Sequence, residues 1–385
     1  MIVNRGYKYR LYPTREQQKY LNQVFGACRF IWNQMLGDKI KAYEATGDSL
    51  KTSYASYKAD FPWLKEIDAY ALNYVQRDLD QAYKNFFRRL KKGETPGFPK
   101  FKKRGRCRDS YKTRSDANGH GLKIKDGRLK VPKLDSTIKM KVHRPFPDGA
   151  KICDAVISKT HTNEYYVSFC IEFEMKKKKG KSKTVGLDFS TRDYFVDSRG
   201  NIPDYPHYYK KDKERLAREQ RKLSRCEFGS NNYEKQRIKV AKIHQKIARK
   251  RGYFAHCLSR KLVEENKVVA VEGLKLQEMQ KSNKDKIDEG FRRKTLKNFN
   301  SAISDIAYYT FCQMLEYKSD EYTGHKYIKI DTYFPSSKTC YKCGHVIEKN
   351  DLDEKTFICP ICGYKEHRDI NAAKNILKEG KRMVN

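Results

Sequence analysis

Thr184-Val185-Gly186-Leu187-Asp188-Phe189-Ser190 is a mostly apolar run that carries one carboxylate near its end. A polar turn follows, then a second apolar run, Tyr194-Phe195-Val196, closed by Ser198-Arg199-Gly200-Asn201. Short apolar runs bounded by turn residues predict two strands, with Asp188 held near a strand end. Residues from about 206 to 265 then read as helix and are strongly basic, most densely at 242–251. Next comes Val268-Val269-Ala270-Val271, a fully apolar strand ending in Glu272-Gly273-Leu274. A further helix is predicted over roughly 299–319, and Tyr327, Ile328 and Ile330 make one more strand. Strands alternating with helices imply a mixed α/β sheet. A sheet that starts with an Asp-bearing strand and a second strand directly after it is of the RNase H-like kind.

Upstream the pattern differs. Tyr7, Tyr9 and Leu11 alternate as in a strand, which Pro13-Thr14 stops while starting a helix. Leu21, Val24, Phe25, Cys28, Trp32, Met35 and Leu36 recur at three and four, as do Leu72, Val75, Leu79, Ala82, Tyr83, Phe86 and Leu90. Residues 14 to about 93 are therefore expected to be helical. The stretch GFPKFKKRGRCRDSYKT, residues 97–113, is basic, aromatic and broken by Gly and Pro, which suits a loop laid against phosphates rather than a packed element. From about 120 to 175 the period becomes two. Leu122 and Ile124 precede the turn dipeptide Asp126-Gly127, and Leu129 and Val131 follow it, a strong hairpin signal. Ile138, Met140 and Val142 alternate next, and Tyr165, Val167, Phe169, Ile171 and Phe173 alternate after a turn at 161–163. If the opening strand joins this antiparallel unit, the helical segment is an insertion into one barrel. Lys176 to Lys183 reads as a linker.

The 385 residues suffice for two or three domains. Lys and Arg number 83 against 47 Asp and Glu, a formal charge of +36 spread along the whole length, so the expected partner is a polyanion. No segment approaches the roughly 20 apolar residues of a bilayer span, and the start of the chain has no signal-peptide core. A soluble nucleic-acid binder in the cytoplasm is expected. The 27 Tyr and 19 Phe could stack on bases, although most are expected in the core. Seven of the 11 cysteines are scattered without pairing logic, which favours a reducing compartment.

The other four are not scattered. Cys340-x-x-Cys343 and Cys359-x-x-Cys362 stand fifteen residues apart, the spacing of a four-thiolate zinc site, and one zinc ion per chain is expected there. Arg368-Asp369-Ile370-Asn371-Ala372-Ala373 follows, with Asp369 at the mouth of a helix over 370–378. Asp188, Glu272 and Asp369 each sit where a strand end or helix start would present them. Phosphodiester hydrolysis can use two divalent cations about 4 Å apart, held by hard oxygen ligands, and three carboxylates meet that need. Each also has a simpler explanation. Asp188 could be a turn residue, with Asp193 and Asp197 competing for its role; Glu272 could be a solvated strand end; Asp369 could be only a helix N-cap.

Together these motifs resemble the TnpB proteins of insertion sequences, compact RNA-guided nucleases ancestral to the type V CRISPR effectors. The resemblance runs from KYRLYPT and GACRFIWN through GFPKFKK, VGLDFS and AVEGL to FPSSKTCYKCG and RDINAAKNIL. It implies a multidomain α/β architecture. A wedge β-barrel (1–13 and 107–183) would be interrupted by a helical recognition lobe with its basic loop (14–106). An RNase H-like RuvC nuclease domain (184–338 and 365–385) would carry a zinc ribbon (339–364). It further implies Asp188, Glu272 and Asp369 as ligands of two catalytic magnesium ions, and Cys340, Cys343, Cys359 and Cys362 as ligands of one zinc. Guide RNA and double-stranded target DNA would be the partners of a monomeric, nucleoid-associated protein. No carboxylate departs from the family pattern, which argues against the nuclease-dead relatives that act as guided repressors. A strand-transfer transposase would be expected to show an Asp, Asp, Glu order and an N-terminal helix-turn-helix, neither of which is evident. The long tail of some relatives is absent after the last helix, with no expected loss of chemistry.

Overall fold

The computed structural model describes residues 1–115, 121–276, 278–279, 293–348 and 355–384. They form two compact units, Met1–Met175 and Lys176–Asn385.

In the first unit, β1 (Ile2–Tyr12) leads into α1 (Arg15–Thr46). Thr14 caps that helix with a reciprocal Gln17 contact, and Gly47, at φ 73°, ends it. A single turn α2 (Tyr57–Asp60) and α3 (Ala69–Lys91) follow. The strands β2 (Asp109–Arg114), β3 (Lys123–Lys125), β4 (Arg128–Lys130), β5 (Ile138–Lys141), β6 (Lys151–Lys159) and β7 (Tyr165–Glu174) complete the unit. The sheet runs β2-β6-β7-β1-β5-β4-β3, antiparallel throughout, so the opening strand lies inside a sheet whose other strands all come after the helices. Asp126 and Gly127 both take positive φ, 51° and 66°, as the two-residue turn between β3 and β4 requires. One core joins sheet and helices: Leu21, Phe25, Ile31 and Leu72 pack with Leu129, Ile157, Val167 and Phe169.

The second unit is built on four strands in the order β11-β10-β8-β9, with β8 at Lys183–Ser190, β9 at Tyr194–Asp197, β10 at Asn266–Val271 and β11 at Lys326–Lys329. β9 pairs antiparallel with β8, while β10 is parallel to β8 and to β11. Helices α4 (Tyr208–Ser224) and α5 (Asn231–Glu265) form a basic hairpin, so the predicted helical region contains a turn. The predicted helix over 299–319 is two helices, α6 (Arg293–Ile306) and α7 (Tyr308–Ser319). They break at Ala307, whose φ of 52° is left-handed and cannot continue a right-handed helix. Two short strands, β12 (Thr356–Ile358) and β13 (Lys365–His367), pair before α8 (Arg368–Arg382).

Side chains on this sheet divide by alternation. Val185, Leu187, Val269 and Val271 pack against Ala255 and Val263 of α5 and Phe311 and Leu315 of α7. The opposite face receives α8, where Ala270 meets Ile376. That contact is unusually close because two glycines permit it. A Cβ on Gly186 would lie 2.1 Å from the Ala373 carbonyl oxygen, and one on Gly380 would lie 2.6 Å from the Ala270 Cβ. The last helix is thus bedded directly on the two central strands.

Candidate active site and metal centre

Asp188 is two residues beyond Gly186 on β8 and so shares the face that α8 covers. The parallel register pairs Ala270 with Gly186 and Val271 with Leu187, which puts Glu272, one step past β10, level with Asp188. Asp369 lies in the first turn of α8. All three carboxylates are partly accessible. They also feel one another. Desolvation chiefly, then the charges of Glu272 and Asp369, push the Asp188 carboxyl well above its ordinary value, against the opposing pull of Arg368. Burial likewise raises Glu272. Three carboxylates gathered at the ends of two strands and one helix make a site in which a bound cation would relieve both the repulsion and the desolvation. Oxygen donors of this kind suit hard divalent ions such as magnesium.

The neighbouring carboxylates have structural roles. Asp197 is buried and accepts hydrogen bonds from the backbone N–H groups of Arg199 and Asn201 and from the Asn201 amide, each at 2.8 Å, so it fixes the turn after β9. Asp193 lies in the turn between β8 and β9, where it accepts from the Ser190 hydroxyl at 3.4 Å. Asp369 is not the N-cap of its helix. His367 holds that position, its ring nitrogen accepting from the Asp369 N–H at 3.3 Å, and the helix runs through Arg382 rather than ending at 378. The Asp369 carboxylate is left facing the Arg368 guanidinium at 3.4 Å. After Glu272 the chain turns sharply: Gly273 has no room for a Cβ, which would stand 2.5 Å from the Ile330 carbonyl oxygen, and its own carbonyl accepts from the Thr332 hydroxyl.

The four clustered cysteines come together as their spacing requires. Their sulfurs all lie within 4.8 Å of one another, with Cys340 to Cys362 and Cys343 to Cys359 each at 3.6 Å. A disulfide would need about 2.05 Å. A tetrahedral zinc with bonds of about 2.3 Å places its sulfurs about 3.8 Å apart, so the donor set fits zinc. Two matching turns present the thiols: Gly344 donates to the Cys340 carbonyl and Gly363 to that of Cys359, at 2.9 and 3.0 Å, both glycines at positive φ. Backbone N–H groups of Cys362 and Ile361 pull the Cys359 thiol down, whereas desolvation and the neighbouring sulfurs push Cys362 up, so the four thiols share protons as one site. Phe357 fills the small core beneath.

One feature escaped the sequence reading. Asn371 and Asn375, one helical turn apart on α8, are buried to 0% and 2% exposure. The Asn371 amide donates to the Thr339 carbonyl at 2.8 Å and accepts from the Tyr341 N–H at 3.1 Å. Asn375 donates to the carbonyls of Ser336 and Thr339 at 2.9 and 2.6 Å. Both amides therefore tie α8 to the first cysteine turn. The signal available in the sequence was an i, i+4 pair of Asn on the face that otherwise carries Ala372, Ala373 and Ile376, where unpartnered amides would be costly.

Comparison with known proteins agrees with this architecture. A model described as "Probable transposase" matches residues 168–283, and one described as "Cas12f1-like, TNB domain" matches 308–376. A third, "Helix-turn-helix domain", matches residues 1–48, which here form one strand and one long helix. A protein of Streptomyces pristinaespiralis described as "Putative RNA-guided DNA endonuclease" is 32% identical over 388 residues, covering 98% of this chain and 90% of that protein. The chain belongs to the TnpB family. A second TnpB-family relative, "Putative RNA-guided DNA endonuclease InsQ" of Escherichia coli K12, is 29% identical over 97% of this chain and 92% of its own length. In fold, the chain is similar to the protein in a Cas12f1–sgRNA–target DNA complex, with a TM-score of 0.56, 14% identity and coverage of 97% and 98%.

Proposed function

We propose that this TnpB-family chain is an RNA-guided DNA endonuclease of a transposable element, which cuts target DNA beside a short duplex motif. The observation that carries the reading is the convergence of Asp188, Glu272 and Asp369, from two strand ends and one helix start, into a cluster whose charges disfavour one another. Its relatives carry the corresponding description. In this reading residues 184–338 and 365–385, within the second unit, are a RuvC nuclease domain carrying a zinc ribbon over 339–364, and the first unit supplies the wedge barrel and recognition lobe.

Two magnesium ions bound by the three carboxylates would activate water and stabilise the leaving oxygen of a phosphodiester. The chain's own part is to hold three oxygen ligands on a rigid frame. Asp188 and Glu272 are fixed in register by the β8–β10 ladder, and Asp369 is fixed by the close bedding of α8. Arg368 keeps a positive charge beside them. A guide RNA pairing with the target supplies sequence recognition, and the +36 charge supplies phosphate neutralisation. Its place of action would be the cytoplasm, on nucleoid DNA, as for an insertion-sequence nuclease; no helix among the described residues is long and apolar enough to cross a membrane. The protein would act as a monomer with its RNA.

The test is cleavage by the purified protein with the RNA that copurifies with it. Guide-matched DNA should be cut with magnesium by wild type and by Asp193→Ala. Asp188→Ala, Glu272→Ala and Asp369→Ala should each bind RNA and guided DNA yet fail to cut. A variant among the three that cuts like wild type removes that residue from the ligand set. If wild type binds guided DNA and never cuts it, a guided repressor replaces the nuclease reading.

A further inference from the structure

The catalytic cluster and the thiolate cluster are joined through one helix. Asp369 stands in the first turn of α8, Asn371 is two residues on, and Asn375 follows one turn later. The two buried amides make four hydrogen bonds, all to backbone groups of residues 336–341, the segment that runs into Cys340. That segment has its own anchor in the cysteine turn, where the Cys340 N–H donates to the His345 carbonyl at 2.8 Å. Elsewhere near its start, α8 meets the turn after β9 through Ile370, whose Cδ1 lies 3.1 Å from where a Gly200 Cβ would be, the Arg368 N–H donates to the Lys355 carbonyl at 2.8 Å, and Lys374 pairs with Glu366 at 2.6 Å. The amides thus share the placement of Asp369 with the bedding of α8 on the sheet, and they are the side chains of α8 that carry it to the segment around Cys340.

We propose that Asn371 and Asn375 are positioning residues that couple the folded cysteine turn to the geometry of Asp369, so that the affinity of the carboxylate site for a divalent cation depends on the state of the thiolate site. The proposal rests on the site reading above and adds a link between its two metal centres. A carboxylate displaced by even a fraction of an ångström loses ligand geometry. Substitution of groups that orient ligands typically lowers metal affinity about 10- to 100-fold. The coupling is reciprocal, as any linkage between two sites must be.

The experiment measures manganese binding to the full chain with its copurified RNA by electron paramagnetic resonance, counting only the signal that Asp188→Ala removes. The double variant Asn371→Ala/Asn375→Ala should keep one zinc per chain and should bind RNA and guided DNA like wild type. Its manganese dissociation constant should rise about tenfold, with cleavage lost at low magnesium and recovered at high magnesium. Asn266→Ala is the control. Asn266 is equally buried, bonded to the Leu262 carbonyl and the Arg199 guanidinium, and lies at the far end of β10 from Glu272. It should lower thermal stability without moving manganese affinity. Cys343→Ser should also weaken manganese binding in the wild-type background, and much less in the double variant, because the link is already cut. If the double variant is insoluble, each single Asn→Ala variant serves, with a smaller shift in the same direction. Unchanged manganese affinity in the Asn variants, or an equal loss in Asn266→Ala, overturns the proposal alone. Absence in wild type of any manganese site sensitive to Asp188→Ala overturns the site reading and the proposal with it.

Discussion

At the scale of single residues, Asp188 and Asp197 lie on paired strands and answer opposite demands. Asp197 has three donors and no reason to be a ligand; Asp188 has two like charges near it and a cost of burial. Without divalent cations, Asp188→Ala should leave the midpoint of thermal unfolding unchanged or raise it, because an unfavourable charge is removed. Asp197→Ala should lower stability by about 2–4 kcal/mol, because the donors of the turn lose a charged acceptor. A second residue-scale test concerns Lys318, fully buried, whose ammonium donates to the His256 carbonyl and the Ser259 hydroxyl, each at 2.6 Å. Burial, then Arg260, lowers its pKa from 10.5 to about 8. Between those values the unfolded chain holds a proton that the native one has lost, so stability rises with pH across that window. The gain is up to about 3 kcal/mol. Urea unfolding at pH 8 and pH 10 should show this rise in wild type relative to Lys318→Met; parallel profiles would refute it. The carboxylate cluster was legible in the sequence because each member follows an apolar run or precedes a helix, positions that local pattern reveals. Asn371, Asn375 and Lys318 were not, because the carbonyls they donate to are brought from 32 to 62 residues away, and no local pattern encodes a distant acceptor.

At the scale of elements, periodicity located the long helices and most strands. It missed β6 and gave part of β2 to the basic loop, because Asp109–Arg114 is polar and becomes a strand only by pairing with β6. It also failed where a chain reversal or break depends on backbone conformation. Ala307 illustrates this: its side chain is an excellent helix former, yet it sits at φ 52° between α6 and α7. Tertiary packing overrides its propensity, since Tyr308 must be buried against Phe189, with ring centroids 4.5 Å apart. Ala307→Gly should relieve that conformation and stabilise the protein modestly, by about 0.5–1 kcal/mol after the entropic cost of glycine, read as a higher urea midpoint at unchanged slope. Gly186 lies at the other extreme. Added methyl groups usually cost about 1–3 kcal/mol, but here the atoms in the way belong to the α8 backbone and cannot swing aside. Gly186→Ala should therefore lift α8 from the sheet, lowering thermal stability and, in the protein that remains folded, cleavage as well. Wild-type cleavage in that variant would show that α8 need not touch β8.

At the scale of the whole molecule, the formal charge of +36 should make nucleic-acid affinity fall steeply with salt, since each neutralised phosphate releases a counterion. A plot of log affinity against log salt with a slope near zero would assign the charge another purpose. Metal analysis should find one zinc per chain, and Cys340→Ser should lower both zinc content and soluble yield, because Phe357 and its few neighbours make too small a core without an ion. The order of elements along the chain has a further effect, on timing. β8, at the centre of the second sheet, is made long before α8, the helix that covers it, and Asp188 precedes Asp369 by 181 positions. At a synthesis rate of about 5–20 residues per second, roughly 10–40 s separate the emergence of the two carboxylates. On the proposed reading, a growing polypeptide would present basic residues to RNA during that interval while still lacking the last of the three carboxylates. Loading before arming would then follow from the direction of translation.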